Sequence, residues 1–125
     1  MKVVCNEPVT PSAFAGIRHA TLAGSRQGLS HLSLWKQVLD PGCATPPHRH
    51  DCEEVVLCEA GHGALLYGTR RLAFGPNTTV CIPRNELHQL VNDGDQPLHI
   101  TAVFSRSPVE AFFPDGQPIA LPWAS

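Results

Sequence analysis

The sequence of 125 residues has few charged side chains and no long apolar run. Its nine Lys and Arg residues are scattered and its net charge is −2. It therefore lacks the basic stripe that binding to a nucleic-acid backbone requires. No apolar stretch approaches the roughly 20 residues that are needed to span a bilayer. These absences predict that neither nucleic acid nor a membrane is a partner of this chain.

The five cysteines lack the even number and the regular spacing of a disulfide framework. The first ten residues, MKVVCNEPVT, also lack the apolar core and the small-residue cleavage site of an export signal. We therefore expect reduced thiols and a cytoplasmic location, because disulfides persist mainly in oxidising compartments.

Proline and glycine, by contrast, are abundant, with twelve and ten residues. They interrupt the chain too often for a helical bundle and instead predict short strands joined by turns. The segment His31–Asp40 alternates with a period of two and ends at Asp40-Pro41-Gly42, which suits a type II turn. About eight such strands with no helix between them predict an all-β domain, built as an antiparallel barrel or jelly roll.

This pattern divides the chain into three parts. Residues 1–30 show no clear period and form an N-terminal segment, and residues 31–105 form the barrel. Residues 106–125 contain four prolines and form an extended tail. We expect the tail to pack on the barrel or on a partner subunit and to be anchored by Phe112, Phe113 and Trp123. Within it, we expect Phe112–Gly116 to cover an edge or the mouth of the barrel.

The stretch PPHRHDCEEV contains a candidate metal site. His48 and His50 lie two residues apart, so on an extended strand both imidazoles face the same side and could bind one ion. Glu54 has the same parity, but four residues of strand span about 13 Å, so it joins them only if the chain turns in between. His88 begins the strand HQLVN after a turn-like segment and is the best candidate for a fourth ligand. The alternative is a pair of surface histidines beside an acidic turn.

Two motifs around these residues resemble those of the cupin superfamily. The first motif is Gly, five residues, His-x-His, three or four residues, Glu, six residues, Gly, and it is matched by Gly42, His48, His50, Glu54 and Gly61. The second is Gly, five residues, Pro-x-Gly, two residues, His, three residues, Asn, and it is matched by Pro83, His88 and Asn92, with Asn77 and Asn85 in place of the glycines. Asparagine tolerates a positive φ better than other side chains, so a turn is expected at both positions.

The resemblance implies a single-domain cupin, a double-stranded β-helix (jelly-roll) barrel that holds one divalent transition metal ion. The implied ligands are His48, His50, Glu54 and His88. Three imidazoles and one carboxylate suit Fe, Mn, Ni, Co, Cu or Zn and leave positions open for water or substrate. The resemblance also implies a small-molecule ligand or substrate and a homodimer.

The resemblance leaves the reaction open, because one fold serves many functions. One hypothesis is a metalloenzyme, a dioxygenase-like oxidoreductase, that acts on a small oxygenated organic molecule. Such a molecule would chelate the metal through carboxylate, enol or hydroxyl oxygens. The alternatives are a metal-stabilised small-molecule binding protein without catalysis, and a cupin isomerase, lyase or decarboxylase. No catalytic residue is assigned beyond the metal ligands.

Other candidate residues have ordinary structural alternatives. Cys52 could be a ligand or redox partner of the metal, but a turn or packing residue is the simpler expectation because the ligand set is complete without it. His99 could face the cavity as an acid or base, or be a plain strand histidine. We expect an outward Arg49, surface positions for His19, His31 and His62, core or interface thiols at Cys43, Cys58 and Cys81, and core or interface packing of Trp35, Tyr67, Phe74 and Phe104, with cavity lining as the alternative for these aromatics.

Overall fold

The computed structural model describes all residues 1–125 as a series of short strands with one 3-10 turn at Ser25–Gln27. The strands are β1 (Thr10–Pro11), β2 (Ile17–Ala23), β3 (Ser33–Leu39), β4 (Glu54–Ala60), β5 (Gly63–Tyr67), β6 (Arg70–Phe74), β7 (Thr78–Ile82), β8 (Gln89–Val91) and β9 (Leu98–Phe104). The structure contains no helix that is long and apolar enough to cross a bilayer.

The strands form two antiparallel sheets that enclose the core. One sheet has six strands in the order β1-β2-β3-β9-β4-β7, and the other has three in the order β6-β5-β8. Alternate residues point inward, as in β9, where Leu98, Ile100, Ala102 and Phe104 are buried and the residues between them are half-buried. The all-β jelly-roll architecture that the sequence predicts is confirmed.

The larger sheet takes in residues that precede position 31. β2 pairs with β3, with Ile17 opposite Leu39 and Thr21 opposite Trp35. Its inward face buries Ile17 and His19, so the expected surface position of His19 is wrong. This strand is hard to recognise in the sequence IRHATLA, because Ala20, on the opposite face, is buried as well and breaks the period of two.

Two asparagines stand at the turns that the second motif implies. Asn77 has a φ of 62° and Asn85 a φ of 66°, so both occupy the left-handed region as expected. Gly61, which ends the first motif, has a φ of 86°, and a side chain there would collide with the backbone of Pro97. These turns set the spacing between the strands that carry the candidate ligands.

Residues 106–125, called here the C-terminal segment, pack back onto the barrel. Arg49 and Phe112 exchange two backbone hydrogen bonds of 3.0 and 2.9 Å, and the Arg49 guanidinium lies 4.7 Å from the centroid of the Phe112 ring. Farther along, the Trp123 ring lies edge-on to Phe14, with centroids 5.6 Å apart. Phe112 and Trp123 therefore anchor the segment, whereas Phe113 is 40% exposed and does not.

Candidate metal centre

Four of the residues singled out in the sequence meet inside the barrel. His48 and His50 precede β4, Glu54 is its first residue, and His88 precedes β8. Two backbone hydrogen bonds of 3.0 and 2.9 Å join His48 to His88. The chain bends at residues 51 and 52, so Glu54 returns to the interior that the histidines face. We call these four residues the His–Glu cluster.

The His–Glu cluster is compact and buried. His48, the most exposed of the four, is only 8% exposed. One ligand atom from each residue lies within 4.8 Å of all the others. Oε2 of Glu54 is 3.3 Å from Nε2 of His88 and 3.5 Å from Nε2 of His50. The separations of 3.3 and 3.5 Å are those of neighbouring donors that surround a single ion at about 2.1 Å each.

The backbone sets which ring nitrogen of each histidine faces the cluster. Each Nδ1–H donates to a carbonyl: His48 to Pro46 (2.7 Å), His50 to Glu110 (2.7 Å) and His88 to Glu86 (2.9 Å). A carbonyl only accepts, so the proton of each neutral ring is on Nδ1 and its Nε2 keeps a lone pair. All three rings therefore offer a lone pair to the cluster, as metal-binding histidines do.

The electrostatics of the cluster favour a cation at its centre. Burial, followed by the proximity of His88 and His50, lowers the pKa of His48 to about 4, so this ring is neutral at pH 7. Burial by itself would raise the pKa of Glu54, but the surrounding imidazoles outweigh it and hold this pKa below its ordinary value. Burial by itself would lower the pKa of His88, but the neighbouring Glu54 carboxylate outweighs burial and raises this pKa. Glu54 is thus a buried carboxylate whose counter-charge must be a proton or a metal ion.

Two unpaired atoms show that the donors fit a metal. Oε2 of Glu54 and Nε2 of His88 are buried and have no hydrogen-bond partner. A buried polar atom without a partner costs about 1–3 kcal/mol, so the arrangement calls for a further group. A divalent transition metal ion meets this need, because it accepts imidazole and carboxylate donors and neutralises Glu54. The cluster could therefore hold one such ion.

A mostly apolar cavity adjoins the His–Glu cluster. His48, His50 and Glu54 lie at its polar end, with Gln37 and Thr45 as the other polar wall residues. The apolar wall includes Trp35, Leu90 and Phe104 from the barrel and Ile119, Leu121 and Trp123 from the C-terminal segment. The cavity holds ≈ 50 Å³ of free space. A polar end beside an apolar chamber suits an organic molecule with an oxygen ligand at one end and an apolar body.

The sequence profile of a family described as auxin binding protein matches residues 1–122. The chain belongs to the auxin-binding protein family. Auxin-binding protein T92 of Nicotiana tabacum is 36% identical over 113 residues, which are 81% of this chain and 60% of the tobacco protein. Auxin-binding protein 1 of Arabidopsis thaliana is 36% identical over 107 residues, which are 78% of this chain and 54% of that protein. The chain thus spans 60% or less of the length of these two relatives.

Solved structures show that this auxin-binding family member has the cupin fold. The polyketide cyclase RemF from Streptomyces resistomycificus is 27% identical with a TM-score of 0.69, over 87% of this chain and 83% of that chain. A cupin-superfamily sugar phosphate isomerase from Silicibacter pomeroyi is 26% identical with a TM-score of 0.70, over 86% and 74%. A cupin 2 conserved barrel protein from Salinispora arenicola, 21% identical with a TM-score of 0.69 over 82% and 89%, shares the fold. The cupin assignment is confirmed.

Several residues of this family member lie where the sequence suggested. Cys52 is buried in the core, and burial raises the pKa of its thiol to about 11, so it is a packing residue. His99 is half-buried on the outward face of β9 and does not line the cavity. Arg49 points away from the cluster and donates a hydrogen bond of 2.9 Å to Oδ1 of Asn85.

Other expectations need correction. His19 is buried, and its ring stacks on Trp123 with centroids 3.7 Å apart. Cys81 and Tyr67 are exposed, because their strands β7 and β5 turn these positions outward, so the core is excluded for both and the interface alternative stays a prediction. Trp35 and Phe104 belong to the core and line the cavity as well, while Cys58 and Phe74 are buried in the core.

Of the residues that close one side of the cavity, the sequence indicates Trp123 as an anchor of the tail but not Ile119 or Leu121. Ile119, Leu121 and Trp123 come from the C-terminal segment and form one side of the wall. Their spacing of two residues is the signal that could have identified them, since it places three apolar side chains on one face of an extended chain. Gln37 gives a weaker signal for a place in the cavity wall. It lies two residues from Trp35 on β3 and therefore on the same face of the strand.

Proposed function

We propose that this protein binds one divalent transition metal ion through His48, His50, Glu54 and His88, and holds a small organic acid beside it with the apolar part of the acid in the cavity. The observation that carries the proposal is a buried cluster of four donors, three of which line the polar end of a mostly apolar cavity. The family supports it, because its members are named for binding auxin, a small-molecule ligand.

The chain itself prepares the polar end of the site. Carbonyls of Pro46, Glu86 and Glu110 hold the three imidazoles with Nε2 inward, so little freedom is lost when a ligand is taken up. Glu54 reduces the net charge of a bound divalent ion, which leaves a positive centre that favours one carboxylate. When bound, the ion would supply a Lewis acid for an oxygen ligand.

The size of the cavity indicates how an organic acid would enter. Sites for drug-sized molecules measure about 300–1,000 Å³, whereas this cavity holds ≈ 50 Å³. An acid of a few atoms fits this free space, whereas an acid with an aromatic ring requires Leu121 and Trp123 to move outward. Both residues lie near the end of the C-terminal segment, outside the barrel strands, so their movement leaves the barrel intact.

Metal analysis and calorimetric titration test the proposal. The purified protein is analysed for bound transition metal and titrated with acetate, phenylacetate and indole-3-acetate, before and after chelation. We expect near-stoichiometric metal, and acid binding that is lost on chelation and in His88→Ala. His99→Ala, on the outward face of β9, is the matched control and should bind as the wild type does. Absence of bound metal, or acid binding that survives chelation, would contradict the proposal.

Catalysis is the second candidate function. Three imidazoles and one carboxylate leave coordination positions free for oxygen or a substrate, as in non-haem iron oxygenases. Two similar structures, a cyclase and an isomerase, are named as enzymes. Oxygen consumption by iron-loaded protein with enols and catechols would indicate a dioxygenase. Product formation without oxygen consumption would indicate an isomerase, lyase or decarboxylase, and binding with neither would leave the non-catalytic function.

We also propose that two copies of the chain pair through the outer face of the six-stranded sheet. Leu34, Val103 and Val55 lie opposite one another across β3, β9 and β4, and form an apolar stripe that a partner would cover. Leu57, on the same face of β4, is 41% exposed. Light scattering should give a mass near twice 13.5 kDa, and Val103→Lys should lower it to that of one chain. A wild-type mass of one chain would refute the dimer.

A further inference from the structure

His19 lies behind the cavity wall, and its hydrogen-bond partners and the rings that it packs against are uncharged. It is 6% exposed and does not line the cavity. Its ring stacks on Trp123, with centroids 3.7 Å and planes 10° apart, and meets Trp35 edge-on at 5.1 Å. Both tryptophans line the cavity, so His19 supports two parts of the wall from behind.

The donor and the acceptor of each hydrogen bond of His19 follow from the hydrogen bond that Thr21 donates. Thr21 has a single hydroxyl proton, which it donates to the carbonyl of Ala124 at 2.7 Å. The Oγ1 of Thr21 must therefore accept the 2.7 Å hydrogen bond from Nε2 of His19. Nε2 then carries the ring proton, and Nδ1 accepts a hydrogen bond of 3.1 Å from Nε2 of Gln37. This tautomer is the opposite of that in the His–Glu cluster.

The hydrogen bonds that run from Gln37 through His19 and Thr21 to Ala124 are called here the relay. The relay also sets which end of the Gln37 amide is available to the cavity. Gln37 lines the cavity, and its NH₂ group is held by His19. Its Oε1 makes no hydrogen bond within the protein and is not sealed in the core. An amide can turn over and exchange oxygen for nitrogen with almost no change of shape, so a partner is needed to choose between the two orientations. His19 is that partner.

We propose that His19 is a positioning residue of the binding site, which orients the Gln37 amide at the cavity wall and, through Thr21 and Trp123, seats the end of the C-terminal segment over the cavity. The inference rests on the proposed function, in that a small molecule occupies this cavity. Burial lowers the pKa of His19 to about 4, which keeps the ring neutral at pH 7 as the relay requires.

The tautomer of His19 can be measured without any ligand. Long-range proton–nitrogen NMR spectra at neutral pH should show the proton of His19 on Nε2 and those of the His–Glu cluster on Nδ1. The loss of one signal in His19→Phe assigns it. A proton on Nδ1 of His19, or the averaged signals of an exposed ring such as His31, would overturn the inference.

Two variants separate the two arms of the relay. His19→Phe keeps a ring on Trp123 but removes the hydrogen bonds to Gln37 and Thr21. Thr21→Val removes the hydrogen bonds to Ala124 and to His19 but keeps the one from Gln37 to His19. We expect His19→Phe to weaken the binding of indole-3-acetate about two- to tenfold, the worth of one hydrogen bond. We expect Thr21→Val to speed amide hydrogen exchange in residues 121–125. His31→Phe, at an exposed position, is the matched control for both measurements.

The outcomes distinguish this inference from the proposed function. Unchanged affinity in His19→Phe together with unchanged exchange in Thr21→Val would overturn the positioning role, even with the expected tautomer. If the wild type binds none of the acids, the proposed function fails. The tautomer and the hydrogen exchange of residues 121–125 then decide by themselves whether His19 orients Gln37 and seats the segment.

Discussion

Acid should destabilise this protein through His19, and the size of the effect follows from the burial of the ring. Burial lowers the pKa of His19 to about 4 in the folded protein, against an ordinary value of 6.5 in the unfolded chain. Between these values only the unfolded chain takes up the proton. The stability that the neutral ring contributes is therefore complete above about pH 6.5 and is lost as the pH falls to about 4. The gap corresponds to about 3.4 kcal/mol, and screening by nearby water reduces our expectation to about 2 kcal/mol.

Urea unfolding of the wild type and of His19→Phe, followed by circular dichroism from neutral pH to pH 4, isolates this contribution. EDTA is present in all samples, so that acid release of a bound ion does not contribute. Because phenylalanine cannot take up a proton, the free energy of unfolding of His19→Phe should fall by about 2 kcal/mol less than that of the wild type. His31→Phe should follow the wild type. Parallel curves for the wild type and His19→Phe would refute the reasoning.

Three further predictions concern the metal, a turn and the C-terminal segment. Chelation should lower the thermal midpoint in calorimetry, because an ion present at about 1,000 times its Kd adds about 4 kcal/mol to the free energy of unfolding. In urea unfolding, Asn77→Ala should cost about 1–2 kcal/mol and Asn77→Gly should cost none, since a φ of 62° suits glycine. In metal titrations, truncation after residue 106 should weaken affinity about 10–100-fold and truncation after residue 118 should not, because only the former removes the Glu110 carbonyl that orients His50. An unchanged midpoint, equally stable Asn77 variants, or equal metal affinities of the two truncated chains would contradict these predictions.

The sequence could predict that the four residues of the His–Glu cluster lie together, because the turns and spacings that bring them together are mostly local. His48, His50 and Glu54 lie within seven residues, and their spacing requires only one bend, which the structure shows. His88 follows the turn at Asn85, whose φ of 66° is the conformation that the substituted glycine position implies. The all-β jelly-roll fold follows from the same turns, since they separate strands of a few residues each.

The surroundings of the cavity could not be predicted, because their contacts are distant in sequence. Thr21 and Ala124 are 103 residues apart, and no period or motif connects them. His19 shows no partner in its own neighbourhood, and its strand β2 lacks a clear alternation because Ala20 is also buried. Only the three-dimensional pairing of β2 with β3 brings Gln37 to His19. The homodimer and the cytoplasmic location remain predictions.

The C-terminal segment has two parts, which have different anchors and are linked by a hydrogen bond from the backbone of Val109 to Ser125. Its first part folds on itself, with Ile119 donating to the carbonyl of Ala111 at 2.8 Å, and it carries the Glu110 carbonyl that orients His50. Its last part is held by hydrogen bonds from Thr21, from Ser25 and from the backbone of Val109. A bulky ligand can therefore displace the last part without disturbing the cluster.

Displacement of the last part has a definite free-energy cost. Three hydrogen bonds at a net value of about 0.5–1.5 kcal/mol each amount to about 1.5–4.5 kcal/mol, before the loss of the His19–Trp123 stack. Under the proposed function, we therefore expect an aromatic acid to bind more weakly than its contacts alone would suggest, by about one to three powers of ten. A small acid that fits the free space of ≈ 50 Å³ should avoid this cost. Under the proposed function, we therefore expect the contacts that hold the last part, rather than the His–Glu cluster, to limit the size of the bound molecule.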